Sequence, residues 1–257
     1  MIIESKKSRW LIFFLPLLLS FIAPPATVKV YLAGDSTMAE KKRNAYPETG
    51  WGMPFSHFFD STVAVENFAR NGRSTKTFIA ENLWNEIFTR LNPGDYVFIQ
   101  FGHNDEVPTK SAATTQLEFE ANLRRFIIES RSKNAIPVLL TPVARRKFNE
   151  VGNIQETHAA YASIIRKLSA ELMVPLIDMD KDTQVFLQQL GPVDSKRLFN
   201  HLEPGENPNY PDGIKDDTHL NELGARKFAT MALMRVKSLK LELANRIIKP
   251  VLSKKNK

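Results

Sequence analysis

From Val28 onward, short β-branched or apolar runs alternate with longer stretches whose apolar positions recur at helical spacing. This alternation is the pattern of βαβ units that build a parallel sheet. It predicts five strands, at 28–33, 63–68, 96–101, 136–140 and 175–177, each bounded by Gly, Pro, Asn or Asp. Helices are predicted at 51–59, 83–91, 119–133, 158–173 and 221–247. In the third of these, Phe119, Leu123, Phe126 and Ile127 share one face while Arg124, Arg125 and Glu129 fall elsewhere, as in a helix that covers a sheet. No internal repeat or low-complexity block interrupts the pattern. One long polar stretch, 199–217, is rich in Pro, Gly, Asn and Asp and is expected as a loop; loops of that length are commonly functional or disordered.

The N-terminus departs from this rhythm. Lys6, Lys7 and Arg9 precede an apolar run from Trp10 to Ala23 that breaks at Pro24-Pro25. The run is short for about 30 Å of hydrocarbon, Pro16 interrupts it, and Ala23 and Ala26 offer a small-residue cleavage region. Residues 1–26 are therefore expected to be a signal peptide and the remainder, 27–257, an exported domain, secreted or periplasmic; an uncleaved N-terminal anchor is the alternative. Cleavage would leave no stable membrane insertion. With 43% apolar and 25% charged residues the chain falls among globular proteins and outside the disordered, fibrous and multi-span membrane classes. Cys is absent, which excludes a disulfide, a thiolate metal site and a lipoprotein signal. Loss of Glu4, Lys6, Lys7 and Arg9 with the leader lowers the formal charge from +7 by 2 to +5. Such a balance suits an anionic substrate, although much of it sits in a Lys-rich tail that reads better as a solvated end.

Open parallel α/β sheets bind ligands outside the carboxyl ends of their strands. Gly34-Asp35-Ser36-Thr37 follows the first predicted strand, Asn71-Gly72-Arg73-Ser74 the second and Gly102-His103-Asn104-Asp105 the third, so all three fall on one rim. Acyl transfer by a serine needs a base, a carboxylate to orient that base and donors for the oxyanion. Ser36 is placed to present its hydroxyl to a cleft, although an isolated Gly-Asp-Ser reads better as a cap or turn. Five histidines compete for the base: His57, His103, His158, His201 and His219. His57 and His158 lie in helical patterns, and His201 has no partner at a telling spacing. His219 follows Asp216 by three residues, so the carboxylate can fold back onto Nδ1 and leave Nε2 for the serine. Helix capping by Asp217 or Thr218 is the competing account of that cluster. The backbone N–H groups of Ser36 and Gly72 and the side-chain amide of Asn104 are the candidate oxyanion donors; taken singly, Gly72 and Asn104 are ordinary turn residues.

Together these residues resemble the four ordered blocks of the SGNH (GDSL-type) hydrolases, and the resemblance covers essentially the whole chain after residue 26. Within that class the chain is most similar to the rhamnogalacturonan acetylesterase family, which has runs like Gly34-Asp35-Ser36-Thr37-Met38-Ala39, Gly50-Trp51-Gly52, Asn71-Gly72-Arg73-Ser74 and Asp216-Asp217-Thr218-His219. The resemblance implies a three-layer, flavodoxin-like α/β fold with a five-stranded parallel sheet, no metal or organic cofactor, and removal of acetyl groups from plant cell-wall polysaccharide. It assigns Ser36 as nucleophile and first oxyanion donor, Gly72 and Asn104 as further donors, Asp216 as the orienting carboxylate and His219 as base. An α/β-hydrolase elbow is excluded because Met38, not Gly, stands two residues after Ser36. No Walker-type glycine loop or His-Glu-x-x-His zinc motif is present.

The acetylated polysaccharide is the expected partner, and no nucleic acid is. Arg145, Arg146 and Lys147 follow the fourth strand, and Arg145 and Arg146 are candidates for the uronate carboxylates of a pectic backbone; a solvated basic turn is an equal alternative. Trp51 is a candidate for stacking on sugar, with core packing as the competing account. An acetylxylan esterase, or another short-acyl carbohydrate or lipid esterase, remains open, as does a carbohydrate-binding protein on a disabled hydrolase scaffold.

Overall fold

The structure, a computed structural model, describes residues 27–249; the leader expected over 1–26 lies outside the described residues. The elements run β1 (Val28–Gly34), α1 (Gly52–Phe55), β2 (Val63–Asn67), α2 (Thr75–Ala80), α3 (Leu83–Arg90), β3 (Tyr96–Gln100), α4 (Gln116–Ser132), β4 (Ile136–Leu140), α5 (Ala159–Leu172), β5 (Leu176–Ile177), α6 (Met179–Asp194), β6 (Phe199–Leu202), β7 (Ile214–Leu220) and α7 (Glu222–Ser238). Strands β1 to β5 form one parallel sheet in the order β2-β1-β3-β4-β5, and β6 and β7 pair antiparallel as a separate ribbon.

The sheet is buried on both faces, which explains why its strands read as continuous apolar runs. Alternate residues serve opposite sides. Val30, Leu32, Tyr96, Phe98, Val138 and Leu140 pack with Phe55 of α1, Met179 and Leu187 of α6 and Phe228 of α7. Tyr31, Ala33, Val97, Ile99 and Leu139 pack on the other side with Phe78 of α2, Trp84 of α3, Phe119, Leu123 and Phe126 of α4, and Ile165 of α5. The result is the expected three-layer arrangement.

Local signals set several helix starts. Thr115 and Glu118 close a capping box at the start of α4, Ser74 and Thr77 close another at α2, and Asn221 accepts from the Gly224 N–H at α7. The predicted 221–247 helix is shorter than expected: α7 stops at Ser238, Lys240 takes a positive φ of 53°, and a 3₁₀ turn follows at Glu242–Arg246. The predicted 51–59 helix is one α-turn followed by a 3₁₀ turn at Ser56–Phe58. Helix α6 was not predicted. The largest difference lies in 199–217, where the expected loop contains β6 and most of β7, paired at Phe199 with Leu220 and, after a register shift, at His201 with Lys215 and Leu202 with Ile214.

Candidate active site

Ser36 sits in a tight turn directly after β1. The Asp35 carbonyl accepts from the N–H groups of Met38 and Ala39 at 3.2 and 3.0 Å. The fully buried Asp35 side chain accepts from the Thr37 N–H and hydroxyl at 2.9 and 2.8 Å. Burial pushes the Asp35 carboxyl up, against the pull of those two Thr37 bonds. From outside, the turn is held by Trp51 N–H on the Thr37 carbonyl and by Asn67 on the Met38 carbonyl. Gly50 packs so closely behind it that a Cβ there would lie 2.0 Å from the Ala39 carbonyl oxygen. The nucleophile turn is thus rigid on several sides, and Ser36 itself is 8% exposed.

The imidazole arrives from β7. His219 Nε2 lies 2.9 Å from Ser36 Oγ, and its Nδ1 lies 2.7 Å from Asp216 Oδ2. The other Asp216 oxygen accepts from the backbone N–H groups of Thr218 and His219 at 2.7 and 2.9 Å. Burial pushes this carboxyl up, but the hydrogen bonds from the His219 ring, its backbone and Thr218 outweigh burial and bring it down to about 2. A carboxylate so acidic has no proton to offer, so Nδ1 is the donor and Nε2 is left to accept from the serine hydroxyl. The arrangement can move the Ser36 proton onto the imidazole and stabilise the resulting cation.

Donors for a developing oxyanion stand beside this relay. Among the described residues neither the Ser36 N–H nor the Gly72 N–H has an acceptor. Gly72 takes a φ of +77°, which favours glycine, and nothing lies within 4 Å of where its Cβ would be, so an acyl group can approach the backbone. Asn104 gives one amide hydrogen to the Arg73 carbonyl at 3.0 Å, next to Gly72, and keeps a second; its Oδ1 accepts from Lys110 Nζ at 2.9 Å. Ser36, Gly72 and Asn104 follow β1, β2 and β3 in turn, on one rim of the sheet.

Residues 32–227 match the GDSL-like lipase/acylhydrolase family. The chain belongs to this family. Across 86% of the chain it is 40% identical to the rhamnogalacturonan acetylesterase RhgT of Bacillus subtilis, covering 94% of that protein, and 32% identical to the probable rhamnogalacturonan acetylesterase YesY of the same organism, covering 97% of it. The crystal structure of Bacillus subtilis YxiM matches 85% of the chain with a TM-score of 0.72 at 26% identity, and the chain spans 58% of that protein's length. An acetylxylan esterase from Geobacillus stearothermophilus shares the fold at a TM-score of 0.59 and 19% identity, over 82% of this chain and 95% of its own. Like its relatives, this member of the GDSL family is a carboxylic ester hydrolase.

Two expected substrate contacts of this GDSL-family enzyme are corrected by the structure. Trp51 is fully buried, with Nε1–H donating to Gln100 Oε1 at 2.8 Å and its ring edge-on to Phe55, so it offers no face to a sugar. Arg146 is 8% exposed and spent on protein: Nε donates to Ser195 Oγ at 3.0 Å, Nη1 to Asp217 Oδ1 at 2.6 Å and Nη2 to the Pro192 carbonyl. It clamps β7 to the end of α6. Arg145 does border a cavity, but it too bridges protein groups: the Thr218 hydroxyl at 2.9 Å and the His103 carbonyl at 3.3 Å. His201, which shows no partner in sequence, pairs through Nε2 with Asp217 Oδ1 at 2.7 Å. The adjacent carboxylates of β7 therefore engage different imidazoles, and only Asp216 reaches the one beside Ser36. His158 stands at the N-terminal boundary of α5 without a side-chain capping bond and pairs with Glu106 through Nδ1 at 3.0 Å, while its ring lies edge-on to His103. Lys110, which sequence reasoning missed, was detectable only as a cation six residues beyond Asn104.

Proposed function

We propose that this enzyme removes O-acetyl groups from a carbohydrate, specifically from a pectic polysaccharide of the rhamnogalacturonan type, through an acetyl-enzyme intermediate on Ser36. A carbohydrate acetylesterase is supported by both named rhamnogalacturonan acetylesterase relatives and by the acetylxylan esterase fold; the pectic substrate rests on the 40% identity to RhgT across nearly its full length. The observation that carries the mechanism is the continuous relay from Ser36 Oγ through His219 to Asp216.

In the proposed sequence, Ser36 Oγ bonds to the acetyl carbonyl carbon as its proton passes to His219 Nε2. The oxyanion accepts from the N–H groups of Ser36 and Gly72 and the free amide hydrogen of Asn104. As the sugar–oxygen bond to the acetyl carbon breaks, His219 returns the proton to the sugar oxygen and frees the hydroxyl. Water, deprotonated by His219, then attacks acetyl-Ser36, and acetate leaves as the proton goes back to Ser36. No step calls on a metal or organic cofactor.

Acetate release across acetylated pectin, acetylated xylan and esters of longer acyl chains tests this reading. The highest kcat/KM on acetylated pectin, abolished by Ser36→Ala, is the expected result; a preference for xylan or for long acyl chains overturns the substrate assignment. Export of the mature domain belongs to the same proposal, and N-terminal sequencing of protein recovered outside the cytoplasm tests it.

A further inference from the structure

A cavity of about 680 Å³ adjoins the rim that carries Ser36 without containing it, between the 106–110 segment and the first turn of α5. Its walls connect directly to the candidate machinery. Lys110 holds the Asn104 amide, and Arg145 reaches Thr218, which lies between Asp216 and His219. The charges along the cavity do not balance. Glu106 accepts from Arg145 at 3.4 Å and pairs with His158 at 2.9 Å, whereas Lys110 is exposed and has no carboxylate partner among the described residues. The opposite wall is the start of a 14-residue helix whose cap, His158, makes no side-chain capping bond. The backbone N–H groups of Ala159, Ala160 and Tyr161 have no acceptor among the described residues. His158 itself is 1% exposed, and its Nε2 also lacks a partner.

An ammonium with no carboxylate partner among the described residues, which keeps two N–H donors beyond its bond to Asn104, lines one cavity with a guanidinium and a turn of free N–H groups, and together they form an anion site. We propose that this cavity is a carboxylate subsite, which takes a uronate group of the substrate backbone, with Lys110 as the principal charged contact. The proposal rests on the pectic reading above and gives it a location. It replaces the Arg145–Arg146 pair, since Arg146 is consumed in holding β7, while Arg145 stays as the cavity's rim. Glu106 shapes the same site: paired with Arg145 and His158, it leaves Lys110, which donates to the Asn104 amide oxygen, without a carboxylate among the described residues.

Calorimetric titration of the full chain carrying Ser36→Ala with a short, non-acetylated oligogalacturonate, and with the same oligosaccharide after reduction of its carboxyl groups to alcohols, tests the subsite without turnover. The acidic ligand is expected to bind about tenfold or more tightly than the reduced one, as a charge-assisted contact provides. Adding Lys110→Met should bring the two affinities together. Ala160→Glu places a carboxylate in the first turn of α5, where a helix tolerates it, and should weaken the acidic ligand selectively while the fold stays intact. Equal binding of both ligands to the Ser36→Ala protein, or an undiminished preference in the Lys110→Met background, overturns the subsite. Turnover of acetylated xylan but not of pectin would instead refute the pectic reading, and the titration would still decide for or against the carboxylate site.

Discussion

Asp216 accepts three hydrogen bonds within a single turn of chain, and this concentration of donors outweighs burial and holds its carboxyl down at about 2. Asp216→Asn should preserve the backbone while withdrawing the negative charge that orients the Nδ1 tautomer, lowering kcat by roughly 100-fold or more with little change in KM for a small ester. Because Asp216 stays charged down to about 2, its own protonation should leave the kcat/KM profile untouched across the ordinary carboxylate range, and an acid limb there that vanishes in Asp216→Asn would contradict this. A His219→Ala loss far exceeding that of His103→Ala is the matching expectation; the reverse order would reassign the base. At this scale the catalytic candidates were legible in sequence, because Ser36, Gly72 and Asn104 each follow a short run that places them on one rim, and Asp216 stands three residues before His219. Arg145 and Arg146 were not separable. They are adjacent and alike in charge, and what distinguishes them is Ser195 and Asp217, far along the chain.

At the level of elements, the parallel sheet was readable from its apolar runs, since burial on both faces demands them. The β6–β7 ribbon was not. Lys215, Asp216, Asp217 and Thr218 form a strand without an apolar face, and its order comes from polar tertiary contacts instead. Helix α6 was hidden for a different reason: Met179, Leu187, Phe186 and Leu190 pack toward the core while Val185 and Val193 are exposed, so its apolar positions do not keep to one face. The Arg146 clamp, together with the Thr49 N–H on the Leu220 carbonyl, fastens the ribbon to the body. Arg146→Met should remove roughly 1–3 kcal/mol of stability, less than a fully buried pair because Asp217 is half exposed and keeps His201. Chemical denaturation gives that difference, and a midpoint equal to that of the parent protein would show that the clamp carries no stability.

Across the molecule, two buried groups beneath the rim make the pH dependence of stability a contest. His103 is buried, and burial, followed by the charges of His158, Arg145 and His219, drives it well below the usual imidazole range against the pull of the Val143 backbone. Its unfolded form binds the proton more readily, so its contribution is complete above about 6.5 and is lost as pH falls below that value. Asp105 runs the other way. Burial raises it to about 6 against the bonds from Thr75 and Thr114, so the folded state holds the proton and gains stability as pH falls from about 6 toward 3.8. Thermal unfolding between pH 7 and 4.5 should show a shallower acid loss for His103→Gln and a steeper one for Asp105→Asn than for the unsubstituted chain.

The nucleophile turn grows out of the main sheet, whereas the imidazole and its carboxylate ride on a separate two-stranded ribbon. Turnover therefore gauges how well that ribbon is seated. Under mild urea, ester hydrolysis should fade at concentrations where the far-ultraviolet circular dichroism of the five-stranded body is still native, and the gap between the two midpoints should widen in Arg146→Met.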